Sequence, residues 1–201
     1  MFNKKDIANK IFAQMKKHFV CSTPDIIEQV CGVSYHIYDP SYLKKAGEEP
    51  VSLFEPIEDS QVPKVLFTDF KKALHPMYKF DSAPEKRFAI VCENDPEVLK
   101  WLRPAPKQFN LYYEGNRRYE PDFVVETVDT IYLVETKKES DISTEEVQSK
   151  AKAALLYCKN ATEYTTANSG KPWKYILLPH DSVKLNMSLD YLVKQYEYEE
   201  V

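Results

Sequence analysis

Two segments decide the fold of this chain: Tyr119-Glu120-Pro121-Asp122-Phe123-Val124-Val125 and Ile131-Tyr132-Leu133-Val134-Glu135-Thr136-Lys137. Both segments are strongly apolar, and a polar break at residues 127–130 separates them, so they predict two neighbouring strands joined as a hairpin. The hairpin brings Asp122 close to Glu135 at the strand ends. Side chains two residues apart on a strand share a face, so Glu135 and Lys137 point the same way and Thr136 is turned away.

Two carboxylates and a lysine at adjacent strand ends are typical of a metal site. Carboxylate oxygens and a backbone carbonyl suit a hard divalent ion such as Mg²⁺, which keeps waters and takes phosphate oxygens as its remaining ligands. The metal polarises the phosphate and stabilises the leaving oxygen, while the lysine orients the attacking water or helps to deprotonate it. The pattern predicts phosphodiester hydrolysis. The alternative is two exposed strand ends with solvated charges, although charges at the ends of buried strands are unfavourable unless they are used.

Pro121-Asp122 and Glu135-Thr136-Lys137 resemble the two halves of the motif of the PD-(D/E)xK nuclease superfamily. Over residues 64–192 the chain is similar to the C-terminal endonuclease domain of type III restriction enzyme Res subunits. The resemblance implies an α/β fold with a restriction-endonuclease-like core, in which helices flank a central mixed β-sheet. Residues 1–62 would form an N-terminal helical extension and residues 63–201 the endonuclease domain. The segments that carry the resemblance beyond the motif are Lys64-Val65-Leu66-Phe67, Phe70-Lys71-Lys72, residues 76–89, residues 99–106 and residues 170–181.

The resemblance also implies roles for individual residues. Asp122 and Glu135 would ligate Mg²⁺, or Mn²⁺ in its place, with the backbone carbonyl of Thr136 as third ligand. Lys137 would position the nucleophilic water. Glu85 matches a glutamate of the preceding helix that completes the acidic cluster, directly or through water. The alternative for Glu85 is an ordinary acidic residue favoured by the macrodipole in the first turn of a helix.

Several polar residues around the motif are candidate contacts to the phosphate backbone of DNA. Solvated surface is the alternative for each of them. We expect Lys150 to lie on a solvated helix face and His180 to be structural. The candidate DNA contacts are two residues before the Asp122 strand and two on the following helix: Arg117, Arg118, Gln148 and Lys152.

The resemblance implies double-stranded DNA as substrate, and as partners the helicase/ATPase portion of a Res subunit and a modification methyltransferase subunit. With four glycines and no Gly-x-x-x-x-Gly-Lys-Ser/Thr loop, the chain is not expected to hold an ATP site. Two alternatives stay open. A catalytically silent nuclease-like module would bind DNA or a partner, and a nuclease of a DNA-repair helicase would cut ends or flaps. The full Asp/Glu/Lys set argues against the first, and the run Trp173–Pro179 favours restriction over repair.

Composition limits the class of protein further. The 201 residues are 43% hydrophobic, enough for a substantial core, and the formal net charge of -4 argues against indiscriminate coating of DNA. The four cysteines form no CxxC pair and no zinc-finger spacing, which favours free thiols in a reducing cytosol. No signal peptide or transmembrane run is present, so we expect a cytoplasmic protein without a membrane partner.

Periodicity and capping signals predict most of the secondary structure. The expected helices are Lys4–Phe19, one from Thr23, Val62–Leu74, one capped by Ser82 with Pro84 in its first turn, Pro96–Leu102, one from Ser143 through Cys158, and Leu189–Tyr196. The expected strands are Phe109–Tyr113, the Asp122 strand, the Glu135 strand and Tyr175–Leu178, with an irregular segment at residues 35–63.

Overall fold

The computed structural model describes residues 48–114 and 117–198. The chain divides into two units, residues 1–31 and 32–201, and every described residue belongs to the second. The helices predicted from Lys4 and Thr23 therefore lie outside the described residues. The expected domain boundary after residue 62 stays a prediction, although Leu53 and Val62 belong to the same buried cluster as Phe67.

The described residues contain both strands and helices. The strands are β1 (Val51–Ser52), β2 (Phe67–Thr68), β3 (Val98–Leu102), β4 (Leu111–Tyr113), β5 (Arg117–Tyr119), β6 (Phe123–Thr127), β7 (Ile131–Lys137) and β8 (Trp173–Pro179). The helices are α1 (Ala83–Asn94), α2 (Glu139–Ile142), α3 (Glu145–Ala167) and α4 (Leu189–Tyr196), with 3₁₀ segments at Asp59–Lys64 and His180–Ser182.

The central sheet is mixed and has the strand order β3-β6-β7-β8. The first three strands form an antiparallel meander, and β8 lies parallel to β7. At the turn between β6 and β7 the Thr127 hydroxyl donates to the Thr130 carbonyl at 3.0 Å and accepts from the Thr130 N–H at 3.1 Å. The hairpin predicted from the sequence is confirmed. Because parallel strands need a crossover, α3 connects β7 to β8, and both strands end at the same edge of the sheet.

Helices cover both faces of this sheet, which explains the nearly continuous apolar runs of its inner strands. On one face Val134, Ile176 and Leu178 pack in a cluster with residues of α1 and α4. On the other face Leu133 and Leu177 pack in a cluster with residues of α3 and the β4–β5 hairpin. The expected mixed α/β architecture with a central sheet between helices is therefore confirmed. Since Glu135 and Lys137 alternate with Val134 and Thr136, they belong to the α3 face.

The start of α1 follows the predicted capping pattern. Ser82 is the N-cap, and its hydroxyl accepts from the backbone N–H of Glu85 at 3.4 Å. Pro84 lies in the first turn, where its missing N–H is not needed. The Glu85 carboxylate in turn accepts from the Ser82 hydroxyl at 2.9 Å and from the backbone N–H of Asp81 at 3.0 Å. This cap fixes Glu85 at the N-terminal end of the helix.

Two sequence predictions of helix are wrong. Residues 98–102 form β3, in which Trp101 pairs with Val125, so the short apolar run after Pro96 belongs to the sheet. The segment from Val62 to Leu74 contains the end of a 3₁₀ segment and then β2, because Phe67 pairs with Val51. Short apolar runs do not distinguish strand from helix, and tertiary pairing decided both.

The predicted strand Phe109–Tyr113 exists as β4, but it does not pair with the Asp122 strand. It forms a separate antiparallel hairpin with β5, in which Leu111 lies opposite Tyr119. The first strand of the meander is β3 instead. Within residues 48–114 and 117–198, no helix combines the length and apolar character needed to cross a lipid bilayer.

Candidate active site

Asp122 lies immediately before β6 and is bound to the neighbouring strand. Its Oδ2 accepts two hydrogen bonds from Thr136, from the backbone N–H at 2.7 Å and from the side-chain hydroxyl at 2.9 Å. Both bonds use Oδ2, so Oδ1 is not engaged by Thr136. The adjacent pair Phe123–Val134 is the first rung of the hairpin, which explains why residue 122 reaches residue 136. The sequence pattern predicted the proximity of the two strand ends, but not this clamp.

Glu135 is almost completely buried, with 3% of its surface exposed. Its Oε1 forms an ion pair of 2.7 Å with Lys137 Nζ, which confirms that the two side chains share a face. Its Oε2 is buried and has no hydrogen-bond partner among the described residues. Burial, together with the charge of Asp122, raises the pKa of Glu135 to about 8, against the opposing charges of Lys137 and Lys150. A buried acceptor without a donor is rare in folded proteins and indicates a missing partner.

Lys137 remains a cation in this environment. Burial by itself lowers the pKa of Lys137, but the carboxylates of Glu135 and Asp122 outweigh that effect and leave the pKa raised. Glu85 adds to the same electrostatic attraction. An ammonium group has three N–H donors, and the ion pair with Glu135 leaves donors for a water or a phosphate oxygen.

Glu85 lies at the N-terminal end of α1, within the electrostatic range of Asp122. Burial raises the pKa of Glu85, and the charge of Asp122 adds to the increase, whereas Arg103 opposes it. Its Oε2 accepts from Arg103 Nη2 at 3.0 Å in addition to the backbone of Asp81. Because the helix cap and Arg103 already use both carboxylate oxygens, this arrangement is better suited to an indirect role than to direct ligation of a metal. Its place in the acidic cluster stays a prediction.

The donor set fits a divalent cation with few protein ligands. Among the described residues, no three side chains of His, Cys, Asp or Glu are gathered closely enough to hold a metal ion. The remaining candidate ligands are the carboxylates of Asp122 and Glu135 and the backbone carbonyl of Thr136. Mg²⁺ is commonly held by one or two carboxylates and keeps several waters, so two carboxylates are sufficient for it. The unsatisfied Oε2 of Glu135 is the structural observation that agrees with a bound cation.

Two tyrosines lie near Glu135, and the sequence analysis did not identify them. The hydroxyls of Tyr119 and Tyr175 are buried and have no hydrogen-bond partner among the described residues. Burial raises the pKa of both phenols, and the nearby charge of Glu135 adds to the increase. Leu177 pairs with Glu135 across the sheet, and Tyr175 is two residues before it on the same face. Only the pairing of β8 with β7 shows that Tyr175 lies near Glu135.

Lys150 also lies nearer to the site than its sequence position indicated. The sequence predicted a solvated helix face, but the charge of Lys150 acts on Glu135 and lowers the pKa of that carboxyl. Its Nζ forms an ion pair of 2.7 Å with Glu146, one turn earlier on α3, and lies 5.6 Å from the centre of the Tyr113 ring. Spacing along the helix did not show which of its lysines faces the sheet.

The candidate DNA contacts on α3 differ in their surroundings. Gln148 donates from its amide to the Ile142 carbonyl at 2.8 Å and accepts a short hydrogen bond from the Tyr198 hydroxyl. Both ends of the Gln148 amide group therefore form hydrogen bonds within the protein. Lys152 is exposed on the same helix. No described contact joins either side chain to Asp122.

The two arginines of β5 lie on the separate β4–β5 hairpin. Arg117 pairs with Glu114 at 3.1 Å, and its guanidinium lies 5.1 Å from the centre of the Tyr113 ring. Arg118 is exposed. The structure therefore brings together Asp122, Glu135 and Lys137, while both arginines lie on a neighbouring surface. Their role in binding DNA stays a prediction.

His180 lies at the same edge of the sheet as the carboxylates. Burial lowers its pKa, whereas the charge of Asp122 and the nearby backbone of Thr136 oppose that effect. The sequence analysis assigned a structural role to this residue, because no nucleophile stands near it in the chain. His180 directly follows β8, which runs parallel to β7, and this position brings the residue to the edge of the sheet where β7 ends.

Comparisons with known proteins returned nothing that bears on the site. No family model, no curated protein and no solved structure matches the chain.

Proposed function

We propose that this protein is a Mg²⁺-dependent endodeoxyribonuclease with a restriction-endonuclease-like core, of the kind found in type III restriction enzyme Res subunits. The observation that carries the proposal is the buried Oε2 of Glu135, which has no partner among the described residues, in a carboxylate that pairs with Lys137 and lies within the electrostatic range of Asp122. The order of elements supports it as well: α1, three antiparallel strands, α3 and a parallel strand, with the charged residues at one edge of the sheet.

Asp122, Glu135 and the backbone carbonyl of Thr136 would hold Mg²⁺, or Mn²⁺ in its place. When bound, the ion would polarise the scissile phosphate, activate a water and stabilise the leaving oxygen. The clamp from Thr136 holds the Asp122 carboxylate through Oδ2, so its orientation does not depend on a bound ion. Glu135 would lose its proton on binding, because a ligating carboxylate must be ionised.

Lys137 would orient the attacking water. Its ammonium is held in the charged state by Glu135 and Asp122, so it acts as a hydrogen-bond donor to the water or to a phosphate oxygen rather than as a base. Glu85 and Arg103 would form a charged support beneath Asp122. Their ion pair, 3.0 Å between Nη2 and Oε2, connects the start of α1 to the residue after β3.

Double-stranded DNA is the proposed substrate. With a net charge of -4, affinity for phosphates must come from local cations rather than from the whole surface. Lys152, Arg117 and Arg118 are exposed and suited to that role, whereas Gln148 is engaged inside the fold. Translocation and sequence reading would belong to a helicase/ATPase portion and to a modification methyltransferase subunit.

The test is isothermal titration of Mg²⁺ and Mn²⁺ into the wild-type protein and the Asp122→Ala variant, with plasmid nicking assayed on the same samples. We expect the wild-type protein to bind metal and nick DNA, and the variant to lose both while it keeps its circular dichroism spectrum. Asp129→Ala is the matched control, because Asp129 is an exposed aspartate at the opposite end of the same hairpin. Undiminished nicking by Asp122→Ala would overturn the assignment.

A catalytically silent nuclease-like module is the second candidate. It is favoured by the absence, among the described side chains, of a group of three metal-ligating residues, and by the engagement of Glu85 with Arg103. Such a module would bind DNA or a partner and bind no metal. Absence of metal binding by the wild-type protein, with DNA binding retained, would place this candidate first.

A further inference from the structure

The β4–β5 hairpin has one buried face and one exposed face. The buried face packs in the cluster that contains residues of α3, and its buried side chains are Leu111, Tyr113 and Tyr119. Successive residues of a strand point to opposite faces, so Tyr112 and Arg118 belong to the outer face, where both are exposed. The hairpin therefore lies against α3 and offers its outer face to a ligand.

Tyr112 and Arg118 lie directly opposite each other on this outer face. The register of the hairpin pairs them, and opposite side chains of antiparallel strands have Cβ atoms about 5 Å apart. Tyr112 is 62% exposed, the largest value among the exposed large hydrophobic side chains of the described residues. Within residues 48–114 and 117–198, neither side chain forms a hydrogen bond, an ion pair or a ring contact. An aromatic ring and a cation are thus held side by side in solvent.

The other charged groups of the hairpin have partners within the protein. Arg117 pairs with Glu114 at 3.1 Å. The Glu120 carboxylate accepts a short hydrogen bond from the backbone N–H of Lys107. Arg118 is therefore the arginine of this hairpin that has no carboxylate partner among the described residues, and its charge is available to a phosphate.

The hairpin is close to the candidate active site along the chain. Arg118 precedes Asp122 by four residues, and a chain spans at most about 3.6 Å per residue, so their Cα atoms lie within about 14 Å of each other. One strand of B-DNA advances about 3.4 Å per nucleotide. A nucleotide bound at Arg118 would lie on the order of four positions from a phosphate held at Asp122.

We propose that the outer face of the β4–β5 hairpin binds an unpaired nucleotide of the DNA substrate, with Tyr112 stacking on its base and Arg118 pairing with its phosphate. Bases within a duplex are covered on both faces by their neighbours, so a ring on a protein surface stacks on bases that are unpaired. The planar guanidinium matches the geometry of a phosphate. The inference rests on the proposed function, and it adds to the double-stranded substrate a single-stranded segment beside the cleaved bond.

Four variants and two DNA molecules test this site. Tyr112→Ala removes the ring, Tyr112→Phe keeps it without the hydroxyl, and Arg118→Ala removes the cation. Tyr164→Ala is the matched control, because Tyr164 is an exposed tyrosine near the C-terminal end of α3. The probes are a fluorescein-labelled duplex that is fully paired and the same duplex with a single-stranded tail. Fluorescence anisotropy in EDTA, at several salt concentrations, gives the dissociation constants without cleavage, and thermal unfolding checks that each variant is folded.

We expect the wild-type protein to bind the tailed DNA more tightly than the paired DNA. Tyr112→Ala should weaken binding of the tailed DNA about 5- to 150-fold and leave binding of the paired DNA nearly unchanged. Tyr112→Phe and Tyr164→Ala should bind as the wild type does. Arg118→Ala should weaken binding of the tailed DNA and reduce the slope of log Kd against log salt by about one.

An unchanged dissociation constant for the tailed DNA in Tyr112→Ala overturns the inference, as does an equal loss on both DNA molecules. A loss in Tyr112→Phe as large as in Tyr112→Ala excludes stacking, and an unchanged salt slope in Arg118→Ala excludes the phosphate contact. A wild-type protein that binds the two DNA molecules equally, or binds neither, also overturns it. These results leave the proposed function intact, since metal binding and plasmid nicking by the wild-type protein test that function separately.

Discussion

Two regions of the molecule hold buried carboxylates that differ in how many hydrogen bonds they accept: the C-terminal end of α1 and the end of β7. At the C-terminal end of α1, Glu93 accepts hydrogen bonds from the backbone N–H groups of Lys71 and Lys72, at 2.8 and 3.1 Å, and from the Trp101 indole at 2.8 Å. The next carboxylate, Asp95, accepts from the backbone N–H of Leu189 at 2.6 Å. These carboxylates connect segments that are distant in sequence.

The end of β7 is the candidate site, where Glu135 has one lysine partner and one oxygen without a donor among the described residues. Burial is similar in the two regions, since Glu93 and Glu135 are both buried. The two regions differ in the number of hydrogen-bond donors that reach the buried carboxylate. A buried carboxylate with all its donors stabilises a fold, whereas one that lacks a donor is unfavourable in the folded protein and is typical of functional sites. Four predictions follow this contrast.

The largest expected effect is on catalysis. Glu135→Gln keeps the shape of the side chain but removes the charge that would bind the metal, so nicking should fall at least about a thousandfold, which corresponds to about 4 kcal/mol. Thermal unfolding of the metal-free variant should occur at or above the wild-type temperature, because no hydrogen bond to Oε2 is lost. Single-turnover plasmid nicking with Mg²⁺ measures the effect. A variant that nicks at the wild-type rate would remove Glu135 from the site.

The opposite effect is expected at Glu93. Glu93→Ala leaves two backbone N–H groups and the Trp101 indole without their acceptor, and should lower the free energy of unfolding by about 3 kcal/mol. Urea denaturation measures this loss. Nicking by the folded variant should stay close to the wild-type rate, since Glu93 lies at the other end of α1. A loss below about 1 kcal/mol would show that the three hydrogen bonds are replaced by water.

The third prediction concerns pH. The pKa of Glu135 is about 8 in the folded protein and near 4.5 in the unfolded chain, so between these values folding takes up a proton. Stability of the metal-free protein should therefore fall as pH rises through that window, with a slope of at most about 1.4 kcal/mol per pH unit from this one group. Urea denaturation at several pH values measures the slope. Glu135→Gln should reduce it, and Glu85, whose pKa burial also raises, should still contribute a slope of the same sign.

An equal slope in the wild-type protein and in Glu135→Gln would contradict this assignment. The comparison requires metal-free conditions with a chelator, because a bound cation stabilises the ionised carboxylate and reverses the effect.

The smallest effect is expected at Lys150. Its charge lowers the pKa of Glu135, so Lys150→Met should move the upper end of the pH window to higher pH, by less than about one unit. Glu146→Gln is the control, because it breaks the 2.7 Å ion pair of Lys150 and leaves the lysine charge in place. The same denaturation series measures both. Equal shifts in the two variants would show that the ion pair on α3 matters rather than the charge near Glu135.

Local sequence patterns were sufficient for part of this structure. The hairpin was predictable because a polar break separates two apolar runs, and Ser82 was recognised as a cap by its position before Pro84. The closing helix, Leu189–Tyr196, has the bounds that were predicted. The strand at Val98–Leu102 was not recognised, because a run of five residues carries too little periodicity to separate it from a helical turn.

The sequence by itself determined the hairpin, the caps, and the meeting of Asp122, Glu135 and Lys137, because these depend on residues close together in the chain and on the alternation of a strand. Only the tertiary structure decided the surroundings of these three residues. The pairing of β8 with β7 brought Tyr175 and His180 to the site, from about forty residues further along the chain. The parallel register of the two strands is set by packing against α1 and α3, so the spacing of residues along the chain does not predict it.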